Sequence, residues 1–174
     1  MTIEKKRIIV TGSASGMGEA TLNAYVKAGA HVIGMDVSDE KGIKICDKAN
    51  ENGPGKCSYI HVDVSDKSSV TNSFSKANDI LGGLDTLANP AAIQRSSDAS
   101  DVSVEDWDLM FAVNVKGTML TNQAAYSIMK LNGGGSIINF GSISGLRPEP
   151  SASAYSSAKG AVHSWTRTAA GTWG

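Results

Sequence analysis

Arg7-Ile8-Ile9-Val10-Thr11-Gly12-Ser13-Ala14-Ser15-Gly16-Met17-Gly18 joins two kinds of sequence that together specify an architecture. Its first half is a short apolar, β-branched run of the kind that forms a buried strand. Its second half is a turn with three glycines, after which Leu22 and Val26 fall one helical turn apart and Gly29 marks a stop. A strand, a glycine-rich turn and a helix in immediate succession suit a pyrophosphate, because the free N–H groups of a helix N-terminus attract anions. Gly12 then permits the tight turn, Gly16 lets the backbone approach the phosphates, and Gly18 lets the helix pack closely on the strand. The spacing is G-x-x-x-G-x-G rather than G-x-G-x-x-G. No Lys-Ser/Thr pair follows, which argues against a nucleoside-triphosphate loop. Glycine-rich turns are common by themselves; the strand before this one and the helix after it carry the weight.

The alternation continues outward from the loop. Strands are predicted over 31–36, 58–63, 84–89 and 136–140, and helices over 16–28 and 39–50. A third helix follows Ser65, with Val70, Phe74, Ala77 and Leu81 in one stripe. A fourth, capped by Ser103, runs through Trp107 to Val113, and another continues toward Lys130, where Asn132 and three glycines stop it. A last helix begins near Ser151 and has barely run its course at Gly174. Strands joined by helical crossovers make a parallel sheet covered on both faces, and right-handed crossovers leave a doubly wound α/β, Rossmann-type architecture. The expectation is one nucleotide-binding domain over 1–174.

The composition agrees with a folded α/β chain: 174 residues, 41 % hydrophobic and 19 % charged. With 16 Lys+Arg against 17 Asp+Glu the net charge is −1, so nothing favours nucleic acid or an acidic membrane. No apolar run is long enough to span a bilayer or serve as a signal peptide. Cys46 and Cys57 form neither a disulfide framework nor a zinc site, and no metal ligands stand at useful spacing. The expected setting is cytoplasmic.

Asp36 ends the second strand, eighteen residues after Gly18. A carboxylate there accepts hydrogen bonds from both adenosine ribose hydroxyls and repels a 2′-phosphate. Val37 and Ser38 offer no cation to hold one, so NAD is favoured over NADP. S-adenosylmethionine sites also use an acidic residue here, so the loop and Asp36 do not separate hydride transfer from methyl transfer. Tyr155 and Lys159 stand four apart on the last helix, hence on one face. A tyrosine serves as general acid or base near neutrality when a neighbouring positive charge stabilises its phenolate. Ser142 follows the fifth strand at the carboxyl edge of the sheet, where it can hydrogen-bond a carbonyl oxygen. Asn114 is an amide among apolar neighbours and needs partners if buried.

Taken together, these positions closely resemble the short-chain dehydrogenase/reductase family, from Lys6 to the end of the chain. Residues 11–18 match its cofactor loop, Asp63-Val64 its adenine-contacting pair, and Asn114, Ser142, Tyr155 and Lys159 its catalytic tetrad. The resemblance implies NAD contacts from Gly12, Ser15, Gly16, Met17, Gly18, Asp36, Asp63, Val64, Asn89, Tyr155 and Lys159. It implies that Tyr155 exchanges a proton with the substrate oxygen and that Ser142 orients and polarises that oxygen. Lys159 would bind nicotinamide ribose and lower the Tyr155 pKa, and Asn114 would hold a water that relays protons from Lys159. The implied reaction interconverts a secondary alcohol and a ketone, in a homo-oligomer when the chain is full-length. A rival reading is a catalytically silent dinucleotide-binding fragment or interaction module.

Two departures stand out. The family's Asn-Asn-Ala-Gly segment is Asn89-Pro90-Ala91-Ala92 here, with one N–H fewer and one methyl more. The family also continues into a sixth strand, a substrate-covering loop with a helix, and a seventh strand. On that basis residues 1–174 alone are expected to expose an apolar edge at Ile137, Ile138 and Phe140, to leave Trp165 and Trp173 short of cover, and to aggregate with little activity. Leu146-Arg147-Pro148-Glu149-Pro150 is expected to border the substrate pocket. His163, eight residues after Tyr155, reads as a packing or surface residue, and His31 and His61 lack ligand spacing.

Overall fold

A computed structural model describes residues 3–147 and 149–174; Pro148, assigned above to the pocket border, lies outside the described residues. In chain order the elements are β1 (Arg7–Thr11), α1 (Gly16–Lys27), β2 (His31–Asp36), α2 (Asp39–Asn52), β3 (Lys56–His61), α3 (Lys67–Leu81) and β4 (Thr86–Asn89). There follow α4 (Val104–Met110), a π-helical segment (Phe111–Lys116), α5 (Gly117–Leu131), β5 (Ser136–Asn139), a 3-10 turn (Ile143–Gly145) and α6 (Ser153–Trp173). The strands form one sheet in the order β3-β2-β1-β4-β5, every pair parallel. The order reverses between β1 and β4, and a crevice opens at the carboxyl ends of strands at such a reversal.

Residues of β1 alternate between two cores. Ile9, with Ile33 and Leu87, packs under Phe74 of α3 and Leu120 and Met129 of α5. Ile8 and Val10, with Val32, pack under Leu22 and Val26 of α1 and Ala49 of α2. A strand covered on both faces reads as an unbroken apolar run, which is why residues 8–10 show no alternation of apolar and polar. Cys46 of α2 and Cys57 of β3 meet in the second core as free thiols, the Cys57 Sγ donating to Cys46 Sγ at 2.7 Å.

Several boundaries differ from the sequence expectation. β3 begins and ends two residues early, because the Asn50 side chain brackets the Cys57 peptide (2.7 Å to its N–H, 3.0 Å to its carbonyl) and starts the ladder at Lys56. β4 starts at Thr86 rather than Leu84, after Gly83 turns the chain at φ 134°. α6 begins at Ser153: Ser151 has φ 59°, and a bridge between Ser97 and Ala152 keeps this stretch extended. The two helices expected between Ser103 and Lys130 are one continuous rod, joined through the π-helical segment.

β5 is one edge of the sheet and β3 the other; on β5 Ile138 is 42 % exposed, while Ile137 and Phe140 are partly buried against the two cores. Trp165 and Trp173 are half-buried, meeting each other edge-on at 6.0 Å between ring centroids. Trp173 stacks on Tyr126 of α5 at 4.5 Å between ring centroids, and Trp165 Nε1 donates to Asn122 Oδ1 at 3.0 Å. Among the described residues no helix is long and apolar enough to cross a membrane.

Candidate active site

The crevice between β1 and β4 holds about 430 Å³ of open volume. The glycine loop forms one wall. Gly12 and Gly16 sit at φ +58° and +54°, the left-handed region that glycine enters without steric cost. A Cβ on Gly18 would lie 2.6 Å from the Gly12 carbonyl carbon, whereas one on Gly16 would meet nothing within 4 Å. Gly18 is thus a packing glycine, and Gly16 leaves open space above the start of α1. Ser15 stands at the α1 N-cap in extended conformation, and Met17 is exposed beside it.

Asp36 faces the same cleft, its carboxylate already oriented. Oδ2 accepts from the Ala14 N–H and Oδ1 from the Ser38 N–H, each at 3.0 Å. Asp63 and Val64 also line the cleft. Asp63 Oδ1 accepts from the Ser65 N–H and hydroxyl at 2.9 and 2.7 Å, so one carboxylate oxygen is spent inside its own turn.

Tyr155, near the start of α6, lines this same space. One turn on, Lys159 is 4 % exposed and its Nζ lies 5.6 Å from the Tyr155 ring centroid. The ammonium donates to the Phe140 carbonyl at 2.7 Å. Burial pushes its pKa below the usual lysine range, since leaving water penalises the charged form. Ser142 caps the 3-10 turn, with its Oγ 2.7 Å from Ser144 Oγ and accepting from the Ser144 N–H at 3.3 Å. Asn114, 1 % exposed, lies within the π-helical segment. Its side chain is spent on the Ile93 peptide, accepting from the N–H and donating to the carbonyl, both at 2.8 Å. The wider π turn, closed by the Gly117 N–H on the Ala112 carbonyl, is a feature frequent at functional sites.

The structure therefore brings Gly12, Ser15, Gly16, Met17, Gly18, Asp36, Asp63, Val64 and Tyr155 around one cleft, with Lys159 directly behind Tyr155. Asn89 is elsewhere. It lies beneath the floor, 4 % exposed, and accepts from Thr11 Oγ1 at 2.6 Å. A model of the family described as short chain dehydrogenase matches residues 6–174. The chain belongs to the short-chain dehydrogenase family.

Its relatives in that family are oxidoreductases. An uncharacterized oxidoreductase of Staphylococcus aureus (strain N315) is 36 % identical over 168 residues, covering 96 % of this chain and 71 % of that protein. The uncharacterized oxidoreductase YxbG of Bacillus subtilis (strain 168) is 34 % identical, over 97 % of this chain and 61 % of its own. A short chain dehydrogenase from Mycobacterium smegmatis superposes with a TM-score of 0.95 at 27 % identity, covering 98 % of this chain and 72 % of that one.

Within this short-chain dehydrogenase the departures at 90–92 are accommodated locally. Pro90 is buried, Ala92 is exposed on the cleft wall, and the Ala91 N–H donates to Thr11 Oγ1 at 3.3 Å. Sequence reasoning missed a polar ladder that ties the ends of β4 and β5 to the helices beside them. Asn139 Oδ1 accepts from Asn122 Nδ2 at 2.9 Å, and its Nδ2 donates to Asn122 Oδ1 at 2.9 Å and to Thr166 Oγ1 at 3.0 Å. An Asn directly after Ile137-Ile138 at the end of a strand was the available signal, because a polar side chain packed against neighbouring elements requires partners.

Proposed function

We propose that this protein is an NAD-dependent oxidoreductase that interconverts a secondary alcohol and a ketone, with Tyr155 as the acid/base. The observation carrying this reading is that Tyr155 opens into the same cleft as the glycine loop and Asp36, with the desolvated Lys159 ammonium 5.6 Å from its ring. The residues present fit a dinucleotide. Gly16 leaves a cradle that a side chain would fill, the α1 N-terminus faces it, and Asp36 presents a carboxylate held by two peptide N–H groups. Gly12, Ser15, Gly16, Met17, Gly18, Asp36, Asp63 and Val64 would hold the nucleotide, with Tyr155 and Lys159 at its reactive end and Asn89 supporting from below. NAD, when bound, supplies the hydride acceptor or donor.

The chain's own residues handle the proton. In alcohol oxidation Tyr155 Oη takes the hydroxyl proton, and in ketone reduction it returns one. Lys159, its Nζ 5.6 Å from the Tyr155 ring centroid, would bind the nicotinamide ribose beside it. Ser142, whose Oγ pairs with Ser144 Oγ at 2.7 Å, would orient the substrate oxygen. Asn114 holds the loop at Ile93 with its side chain, and its carbonyl accepts from Thr118 Oγ1 at 2.7 Å; the water that would carry protons onward from Lys159 would use the second lone pair of that carbonyl. We assign these roles within one domain spanning 1–174, in the cytoplasm, acting on a small-molecule substrate, and we assign homo-oligomer assembly to the full-length form.

The test is absorbance at 340 nm on adding NAD and a panel of secondary alcohols, with calorimetric titration of NAD alongside. Tyr155→Phe should lower turnover at least ~10²-fold and leave NAD affinity nearly unchanged. Near-normal turnover in that variant sinks the mechanism. Binding of NAD with no turnover of any alcohol in the wild-type chain favours the silent dinucleotide-binding alternative.

A further inference from the structure

The sequence reading treats His163 as a packing residue, yet it touches the peptide that carries Ser142. The Ser142 N–H donates to His163 Nε2 at 3.3 Å. An imidazole nitrogen that accepts a hydrogen bond carries no proton, so the neutral ring is protonated on Nδ1. That Nδ1 is buried and has no hydrogen-bond partner among the described residues. Such a group is disfavoured unless the structure gains elsewhere, and here the gain is the Nε2 contact. Gly141 makes the approach possible: a Cβ there would lie 2.6 Å from His163 Cδ2 and closer still to Nε2.

His163 also stands in line with the site. Tyr155, Lys159 and His163 follow one another at i, i+4 and i+8 along α6, and so share one face. Two of the three grip the same short segment with opposite polarity. Lys159 donates to the carbonyl of Phe140 at 2.7 Å, and His163 accepts the N–H of Ser142. The helix that carries Tyr155 thereby clamps the backbone that carries Ser142, on either side of Gly141.

We propose that His163 is a positioning residue: neutral, protonated on Nδ1, it holds the Ser142 peptide so that the Ser142 hydroxyl keeps its place relative to Tyr155. This inference rests on the roles proposed above for Ser142 and Tyr155. It requires no direct contact between His163 and substrate.

The tautomer and the bond are read directly by NMR of ¹⁵N-labelled protein. Long-range ¹H–¹⁵N correlations should show His163 as the Nδ1–H form. Hydrogen exchange of the Ser142 amide should quicken by about tenfold or more in His163→Leu, which keeps bulk but offers no acceptor. His163→Gln, whose amide oxygen reaches about as far as Nε2, should restore most of the protection. Gly141→Ala, which crowds the ring off the peptide, should reproduce the His163→Leu effect, and the two together should add little more.

In turnover, with NAD and 1-phenylethanol as the probe pair, His163→Leu should lower kcat by roughly 10- to 100-fold while KM for NAD holds. His163→Gln should recover most of the loss. An Nε2–H tautomer, or unchanged Ser142 exchange in His163→Leu, overturns the inference whatever the probe alcohol does. So does an undiminished kcat in His163→Leu when Ser142→Ala has lost turnover. If Ser142→Ala itself turns over normally, the role proposed for Ser142 has failed and the positioning role falls with it, while the tautomer and exchange results show whether the clamp exists.

Discussion

Two alanines placed two residues apart should separate the glycine loop's role in folding from its role in binding. Helix propensity alone says that Gly18→Ala, inside α1, should stabilise by roughly 1 kcal/mol. The packing says otherwise. The new methyl would stand 2.6 Å from the Gly12 carbonyl carbon and 3.1 Å from Ser13 Cα, both backbone atoms. Ordinary carbon contacts need about 3.5–4 Å, so the start of α1 must retreat by about 1 Å from the loop. Overpacking typically costs about 1–3 kcal/mol and a rigid backbone neighbour places this case at the upper end, for a net loss of about 2 kcal/mol. In a chain of this length that lowers Tm by about 4–8 °C. Gly16→Ala meets no atom within 4 Å, and its cost is the left-handed φ of +54°, about 1–2 kcal/mol. Its larger effect should be on the ligand, because the methyl occupies the approach to the α1 N-terminus. NAD affinity should fall at least ~10-fold, or about 1.4 kcal/mol. Thermal unfolding and calorimetric NAD titration on both variants provide the test. A Gly18→Ala protein as stable as the parent refutes the packing role, and a Gly16→Ala protein with unchanged NAD affinity refutes the phosphate cradle.

Three other outcomes are expected. A 2′-phosphate near Asp36 should be repelled enough to favour NAD over NADP by roughly 30- to 150-fold, and Asp36→Ala should narrow that gap; equal dissociation constants in the parent protein contradict it. Arg7 holds the Asp85 carboxyl at about 2, through paired hydrogen bonds at 2.9 and 3.0 Å. A carboxyl lowered in the folded state contributes stability that is complete above the ordinary range near 4 and is lost as pH falls toward 2, here about 2 kcal/mol. Asp85→Asn should flatten that acid limb in urea unfolding followed from pH 7 to pH 2. Ile138, 42 % exposed on the edge strand β5, should promote strand-to-strand association. Ile138→Lys should reduce light scattering at a given concentration, and unchanged scattering means that β5 is not the sticking edge.

The residue pattern by itself determined the architecture, because each strand and helix here is encoded locally. The run at 8–10 is apolar on both faces, the stripe of Val70, Phe74 and Ala77 has helical spacing, and the glycines stand where the chain must turn. It also determined which residues were candidates for chemistry, since a Tyr and Lys four apart on a helix share a face wherever that helix lies. It could not determine what those residues touch. Asn114 shows the limit: only the packed structure spends its amide on Ile93, a residue 21 positions away. The π turn around it is a similar case, because no side-chain pattern in 111–116 specifies one extra residue per turn. His163 is the clearest example. Along the chain it is one more polar residue on a long helix, and only when α6 lies against the end of β5 does its Nε2 meet the Ser142 peptide. Periodicity survives in one dimension because it belongs to the backbone's own geometry. Hydrogen-bond partners 20 or more residues apart are chosen by the packing of whole elements, and that choice exists only in three dimensions.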